Sequence, residues 1–213
     1  SILRASGRRA ESWGTLSGER TTPEGTDLQA TIASWVAGGV DAAALEVSSH
    51  ALAQYRVDGT TFAAVAFTTL GRDHLDFHGS MEDYEAAKAR LFDGTFAGRA
   101  VISTADLAGR RMARRAEIAG MSVVAIDPHS ADSTVSATGC TVAWRGRTLG
   151  VATGGRFTVA NALVAAELAL LLGCSEDDAV AGLATATPVP GRFQPVSLAG
   201  GPIVIVDYAH TPD

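Results

Sequence analysis

The sequence predicts an α/β protein: a mostly parallel sheet with helices on both faces, plus a small antiparallel β subdomain. Three observations predict it. Helical and strand patterns alternate along most of the chain, the arrangement that gives a sheet flanked by helices. The strand candidates DAAALEV, FAAVAFTTL and AVIST are short, continuous apolar runs of the kind that fill buried parallel strands. Between residues 134 and 153 the pattern switches to the alternating pieces TVSATG, CTVAWRG and RTLGVAT, an antiparallel hairpin set with Arg-Gly as one turn.

In order along the chain, TDLQATIASWVAGG (26–39) places Leu28, Ile32, Trp35 and Val36 on one face and stops at Gly-Gly, so it reads as a helix. DAAALEV and FAAVAFTTL follow as strands. Ser80, with Asp83 three residues on, has capping-box spacing and opens the next helix. AVIST is a strand, Asp106 to Ala119 a helix and SVVAID a strand. After the hairpins come two helices, FTVANALVAAELALLLG and SEDDAVAGLATA, the first ended by Gly173. PVPGR punctuates the chain before PIVIVDYAH, a last strand running into polar residues.

The bulk properties narrow the class. With 213 residues, 46% of them hydrophobic, the chain can bury a sizeable core in one domain or slightly more. A net charge of −6 with scattered acids lacks the basic footprint of nucleic-acid binders. Cys140 and Cys174 have no CxxC spacing, which disfavours a zinc site and makes a reducing compartment the default. No apolar run approaches the roughly 18 residues needed to cross a membrane, so no membrane insertion is expected.

The chemistry-bearing residues gather at the ends of strands, where ligands bind in sheets of this class. ALEV ends in Glu46, Ser48, Ser49 and His50; FAAVAFTTL ends in Asp73, His74, Asp76 and His78; IVIV ends in Asp207 and His210. Polar loops after strands are the rule, but three such clusters expected on one edge favour a site. Glu46 is read as the last inward position of a buried strand, where a carboxylate must be paired, hydrogen-bonded or on a metal. With His74 it offers one oxygen and one nitrogen to a divalent cation, and capping of a neighbouring loop is the competing role. Lys88 shares a helical stripe with Met81, Tyr84 and Leu91. Burial there lowers the amine pKa, and a neutral amine can react with carbon dioxide to form a carbamate. The alternative is a lysine that snorkels to solvent along Tyr84.

EVSSHAL (46–52), FTTLGRDHLDFHGSMEDYEAAKARLF (67–92), FTVANALVAA (157–166), PGRFQPV (190–196) and VDYAHTPD (206–213) together resemble the Mur ligases, over nearly the whole chain from Thr21 onward. TTPEGTDLQ and HALAQYR resemble those members that add the third residue, meso-diaminopimelate or L-lysine, to UDP-N-acetylmuramoyl-L-Ala-D-Glu in peptidoglycan synthesis. The resemblance implies a cytoplasmic, ATP-dependent amide ligase working through an acyl phosphate. By the family pattern, Glu46 and His74 hold Mg²⁺, and Lys88 is a carbamylated lysine placing a second Mg²⁺, so that His74 and Lys88 carry the catalysis. Thr21, Thr22, Ser48, Gln54 and Arg56 match positions that bind the UDP-muramoyl-dipeptide. Asn161, Arg192, Asp207 and His210 match positions around the ATP.

Some features depart from the family. The phosphate-binding loop GxxGKT(S/T) has no counterpart before Thr21. The resemblance therefore implies a central ATPase domain over 1–197 without its first strand and that loop, with 198–213 as last strand and hinge toward a C-terminal domain. Such a chain alone is expected to be inactive, marginally stable and unable to bind ATP usefully. Thr69, Gly71, Thr158 and the run Ser103-Thr104-Ala105-Asp106 also differ from the usual residues. Three other readings compete: a folylpolyglutamate-type ligase, a hydrolase with a metal on His74, Asp76 and His78, and a non-catalytic remnant that binds the muramoyl nucleotide. The hydrolase leaves Lys88 and the AHTP motif unexplained.

Overall fold

The computed structural model describes residues 1–18, 20–197 and 201–209. The first half contains helix α1 (Ile2–Ala5), strand β1 (Ala10–Trp13), α2 (Gly25–Ala37), β2 (Ala42–Leu45), α3 (Ser49–Ala53), β3 (Val65–Phe67), α4 (Leu75–His78) and α5 (Met81–Ala89), which tightens into a 3-10 turn at Arg90–Phe92. Then come β4 (Arg99–Ser103), α6 (Leu107–Ile118), β5 (Ser122–Ile126), β6 (Ser133–Val135), β7 (Cys140–Trp144) and β8 (Arg147–Val151). The remaining elements are α7 (Phe157–Leu171), α8 (Glu176–Ala184), β9 (Gln194–Ser197) and β10 (Ile203–Val206).

Side-chain caps begin the helices where the sequence suggests. Ser80 Oγ accepts the Asp83 N–H at 3.1 Å, and Asp106 Oδ1 accepts the Gly109 N–H at 2.6 Å. Ser175 and Asp178 cap each other reciprocally at the start of α8. At the other end, Gly120 and Gly173 take the left-handed φ values (80° and 83°) that turn the chain out of α6 and α7.

The parallel strands form two separate sheets, β1–β2 and β3–β4–β5, while β6–β7–β8 is antiparallel. Strand β4 is the centre of the second sheet. Successive side chains of a strand point to opposite faces, and Ala100, Val101 and Ile102 are all at 0% exposure, so both faces are covered. Helix α6 packs on β4 and β5, and α7 lies against β3, β4 and β5. One core gathers Leu28, Leu52, Phe67, Phe92, Ile102 and Met112; a second joins Val142, Trp144, Leu149, Val159 and Leu163 around the antiparallel sheet. Glu167 on α7, itself buried, ties that sheet down: Trp144 Nε1 and Arg145 Nε both donate to its Oε1 at 2.8 Å.

Two expectations need correction. Strand β2 is not buried on both faces: Ala43 and Ala44 are exposed, and so is Glu46 just beyond the strand. The reason is pairing, since β2 has only β1 beside it. Strand β10 does not join the parallel sheet either; it pairs antiparallel with β9 in a hairpin whose Ile203 and Val204 are more than half exposed.

The approach of α6 to β4 depends on Gly109, where a Cβ would collide with the Ser103 carbonyl oxygen. Gly109→Ala is expected to lower unfolding stability by about 1–3 kcal/mol, the usual range for overpacking. Gly98→Ala, with open space around it, is the control in urea denaturation. Equal midpoints for the two variants would show that the helix shifts at no cost.

Candidate active site

The loop after β2 is fastened from both sides. Thr15 donates its N–H and its hydroxyl to Glu46 Oε2, each at 3.0 Å. Gly14 lies against the same carboxylate, with no room for a Cβ. Thr22 donates its hydroxyl to the Glu46 carbonyl at 2.8 Å and accepts the Ser48 N–H at 3.0 Å. Ser48 Oγ in turn accepts the Ala51 N–H at 3.1 Å, capping α3.

Arg56 completes this half. It donates to the Thr22 carbonyl at 3.1 Å and to Gln54 Oε1, and it pairs with Glu24 at 3.2 Å. Burial, and then the nearby Arg20, lower its pKa from the ordinary arginine value. Tyr55 between Gln54 and Arg56 adopts φ 60°, a left-handed conformation uncommon for a bulky residue. Thr21 sits at the rim, its hydroxyl 3.1 Å from that of Thr15. Thus Thr21, Thr22, Glu46, Ser48, Gln54 and Arg56 are one connected group. Thr15 is the member that sequence reading missed.

The second half is built by β3, α4 and α5. His74 stands at φ 56° as the N-cap of α4, with its N–H donated to Asp73 Oδ1 at 2.7 Å. The ring centroid of His50 lies 4.8 Å from that of His74 and 5.5 Å from that of His78. His78 Nε2 shares a 2.9 Å hydrogen bond with Ser49 Oγ. Burial, followed by neighbouring positive charge, holds both His50 and His78 below the ordinary histidine pKa. Asp76 is exposed, and its charge still reaches His50.

Lys88 lies one turn beyond Tyr84 on α5, its Nζ 5.2 Å from the ring centroid. Desolvation lowers its pKa from the usual lysine value, and the fields of Glu46 and Asp73 oppose that shift. The amine and both carboxylates therefore share one neighbourhood. Lys88 is also the sole lysine in the sequence. Tyr84 beside the half-buried lysine is itself buried, and its phenol is pushed up to about 12, by burial first and then by Asp73. Among the described residues, no group of three or more His, Cys, Asp or Glu side chains is placed to hold a metal ion.

The remaining expected residues lie elsewhere. Asn161 is exposed on α7, one turn beyond Phe157, whose ring meets that of Phe193 with centroids 5.8 Å apart. Arg192, next to Phe193, lies over the Tyr208 ring at 5.8 Å, and Tyr208 N–H donates to the Gly191 carbonyl at 2.8 Å. These contacts connect the surroundings of Asn161, Arg192 and Asp207, and nothing among the described residues links Asp207 to the histidines. His210 lies outside the described residues. Thr69 has a clear role: its hydroxyl donates to Asp106 Oδ2 at 3.1 Å, joining the loops after β3 and β4. Both residues line a groove of about 800 Å³ between α5 and α6. Thr158 is buried and spends its hydroxyl on the Gly154 carbonyl at 2.7 Å.

The sequence profile of the Mur ligase middle domain matches residues 1–169. The chain belongs to the Mur ligase family. A UDP-N-acetylmuramoyl-L-alanyl-D-glutamate--2,6-diaminopimelate ligase of Chromobacterium violaceum is 40% identical over 202 residues, 91% of this chain and 41% of that protein. A solved structure of a ligase with the same activity in its name aligns at TM-score 0.80 and 27% identity, covering 99% of this chain and 47% of the other. The fold recurs in MurF of Acinetobacter baumannii, at TM-score 0.68 and 19% identity over 79% of this chain and 39% of that one. It recurs again in a pseudomurein peptide ligase type C of Methanothermus fervidus, at TM-score 0.67 and 19% identity over 98% of this chain and 50% of that one. This Mur ligase chain spans about two fifths of the length of the curated relative.

Thr22 is nearly isosteric with valine, which makes it a clean probe of the fastening. Thr22→Val removes the donor to Glu46 O and the acceptor for Ser48 N–H, and is expected to cost about 1–3 kcal/mol. Chemical denaturation reads the loss. A change below about 0.5 kcal/mol, the range of ordinary surface substitutions, would show that water replaces the hydroxyl freely.

Proposed function

We propose that this chain is the central part of an ATP-dependent Mur ligase that joins a diamino acid, meso-diaminopimelate or L-lysine, to UDP-N-acetylmuramoyl-L-Ala-D-Glu. Residues 1–197 would be its central domain, and 198–213 the last strand and hinge toward a further domain. The observation that carries the reading is Lys88: one desolvated amine, held on α5 over the Tyr84 ring and within the fields of Glu46 and Asp73. Such a place costs an ammonium its hydration and returns only the Tyr84 ring face and the fields of Glu46 and Asp73. A lysine that must be neutral in order to react gains from that loss.

The reaction needs positioning and charge neutralisation more than covalent help from the protein. The substrate carboxylate attacks the γ-phosphorus of ATP, ADP departs, and an acyl phosphate forms. The amine of the diamino acid then adds to that carbonyl, and collapse of the tetrahedral adduct expels phosphate as the nitrogen loses a proton. Thr21, Thr22, Ser48, Gln54 and Arg56 supply hydroxyl, amide and guanidinium groups suited to the oxygens of the muramoyl nucleotide. Asn161, Arg192, Asp207 and His210 are assigned to the ATP.

The donors suit Mg²⁺ only in part. Glu46 uses Oε2 on Thr15, while His74 contributes an imidazole. A carbamate on Lys88 would add a further oxygen ligand beside the Glu46 carboxylate. When bound, Mg²⁺ would neutralise phosphate charge during transfer. The chain's own part is to aim Glu46 through Thr15 and Thr22, and to keep water from the Lys88 amine by packing it on Tyr84.

Carbamylation can be read directly because there is one lysine. With ¹³C-bicarbonate, NMR is expected to show a carbamate resonance that disappears in Lys88→Arg. A depressed pKa means the neutral amine appears at lower pH than in an ordinary lysine, so the signal should grow as pH rises through that lowered value. Absence of any Lys88-dependent resonance at high bicarbonate would overturn the carbamate role. In the full-length ligase, Arg56→Ala should weaken the muramoyl nucleotide by about one to two decades, the loss of roughly 1.5–3 kcal/mol from a charge-assisted hydrogen bond, with ATP affinity unchanged. Equal losses for both ligands, measured by calorimetry, would make Arg56 a support of the fold instead.

A further inference from the structure

Helix α6 reads LAGRRMARRAEI, four arginines in one helix of an otherwise acidic chain whose net charge is −6. Its inner face, Ala108, Gly109, Met112, Ala113 and Ala116, is buried. At 3.6 residues per turn the outer face carries Leu107, Arg110, Arg111, Arg114 and Ile118, flanked by Arg115 on one side and Glu117 on the other. Leu107 is 61% exposed and Ile118 73%, and the Arg114 side chain is 74% exposed. Internal pairing uses little of this charge: Arg111 is held by Glu85, while Arg114 reaches Glu117 only at 3.7 Å.

We infer that this face docks on an anionic phospholipid surface. The order of side chains along it favours a bilayer over a protein partner. Protein interfaces place apolar groups at the centre and charge at the rim. Here the order is inverted, with arginines at the centre and an aliphatic residue at each end, about 16 Å apart along the axis. Guanidinium groups match phosphate oxygens in pairs, so Arg110 and Arg114 meet the headgroups, with Arg115 at the flank, while Leu107 and Ile118 enter the interface beside them. Such binding is peripheral, consistent with no described helix being long and apolar enough to cross a membrane.

The test is sedimentation of the chain with phosphatidylcholine vesicles, with and without phosphatidylglycerol, across a salt series. Binding is expected only to the anionic vesicles and should weaken with salt. Each arginine removed should lower the partition coefficient about fivefold, from roughly 1 kcal/mol per basic residue near such a surface. Arg110→Ser/Arg114→Ser therefore loses more than tenfold, and Leu107→Ser/Ile118→Ser loses the part that resists salt. Circular dichroism on both variants confirms that α6 still forms. Equal binding to neutral and anionic vesicles, or retention of binding by the double arginine variant, would overturn the inference. So would failure to bind either vesicle, and if the chain then bound immobilised polyglutamate, the face would belong to an acidic protein partner.

Discussion

Strand β4 is the fixed point of this molecule. Its backbone is hydrogen-bonded to β3 on one side and β5 on the other, and three consecutive side chains are fully buried. A strand covered on both faces and paired on both edges has nowhere to move. The loops leaving the carboxyl ends of β3 and β4 inherit that rigidity, and Thr69 and Asp106 pin them to each other. From this base α4 presents His78, and α5 presents Tyr84 and Lys88 beside it.

Much of this could be read from residue spacing. Ser80, Asp106 and Ser175 announce their helices because a short side-chain acceptor followed by free N–H groups is a local device. The stripe of Met81, Tyr84, Lys88 and Leu91 predicts the half-buried lysine for the same local reason. Helices of four or five residues are not legible. In α4, one turn starts from a left-handed histidine; in α1, burial of Ile2 against α8 supplies what periodicity cannot.

Glu46 marks the boundary of the method. An apolar run such as AAAL gives the strand but not its neighbours, and burial depends on neighbours. The partner that holds the carboxylate, Thr15, is 31 residues away and sits in a stretch with no periodic pattern. Arg56 was legible by resemblance, but its bond to the Thr22 carbonyl follows from the fold alone. Polar fastenings between distant loops are the class of feature that a single sequence hides.

The separation of the parallel strands into a pair and a triplet divides the site between two mechanical regimes. Glu46 and Thr15 are carried by the two-stranded ribbon, a unit of marginal stability on its own. His74 and Lys88 stand on the triplet and its buried core. Local opening draws on the least protected parts of a fold first, so the Glu46 side of the site should breathe at a lower free-energy cost than the His74 and Lys88 side. A ligand bridging both sides would act as a strut across that seam. The protein would then be stiffest when it is loaded, with the gain falling mainly on β1 and β2.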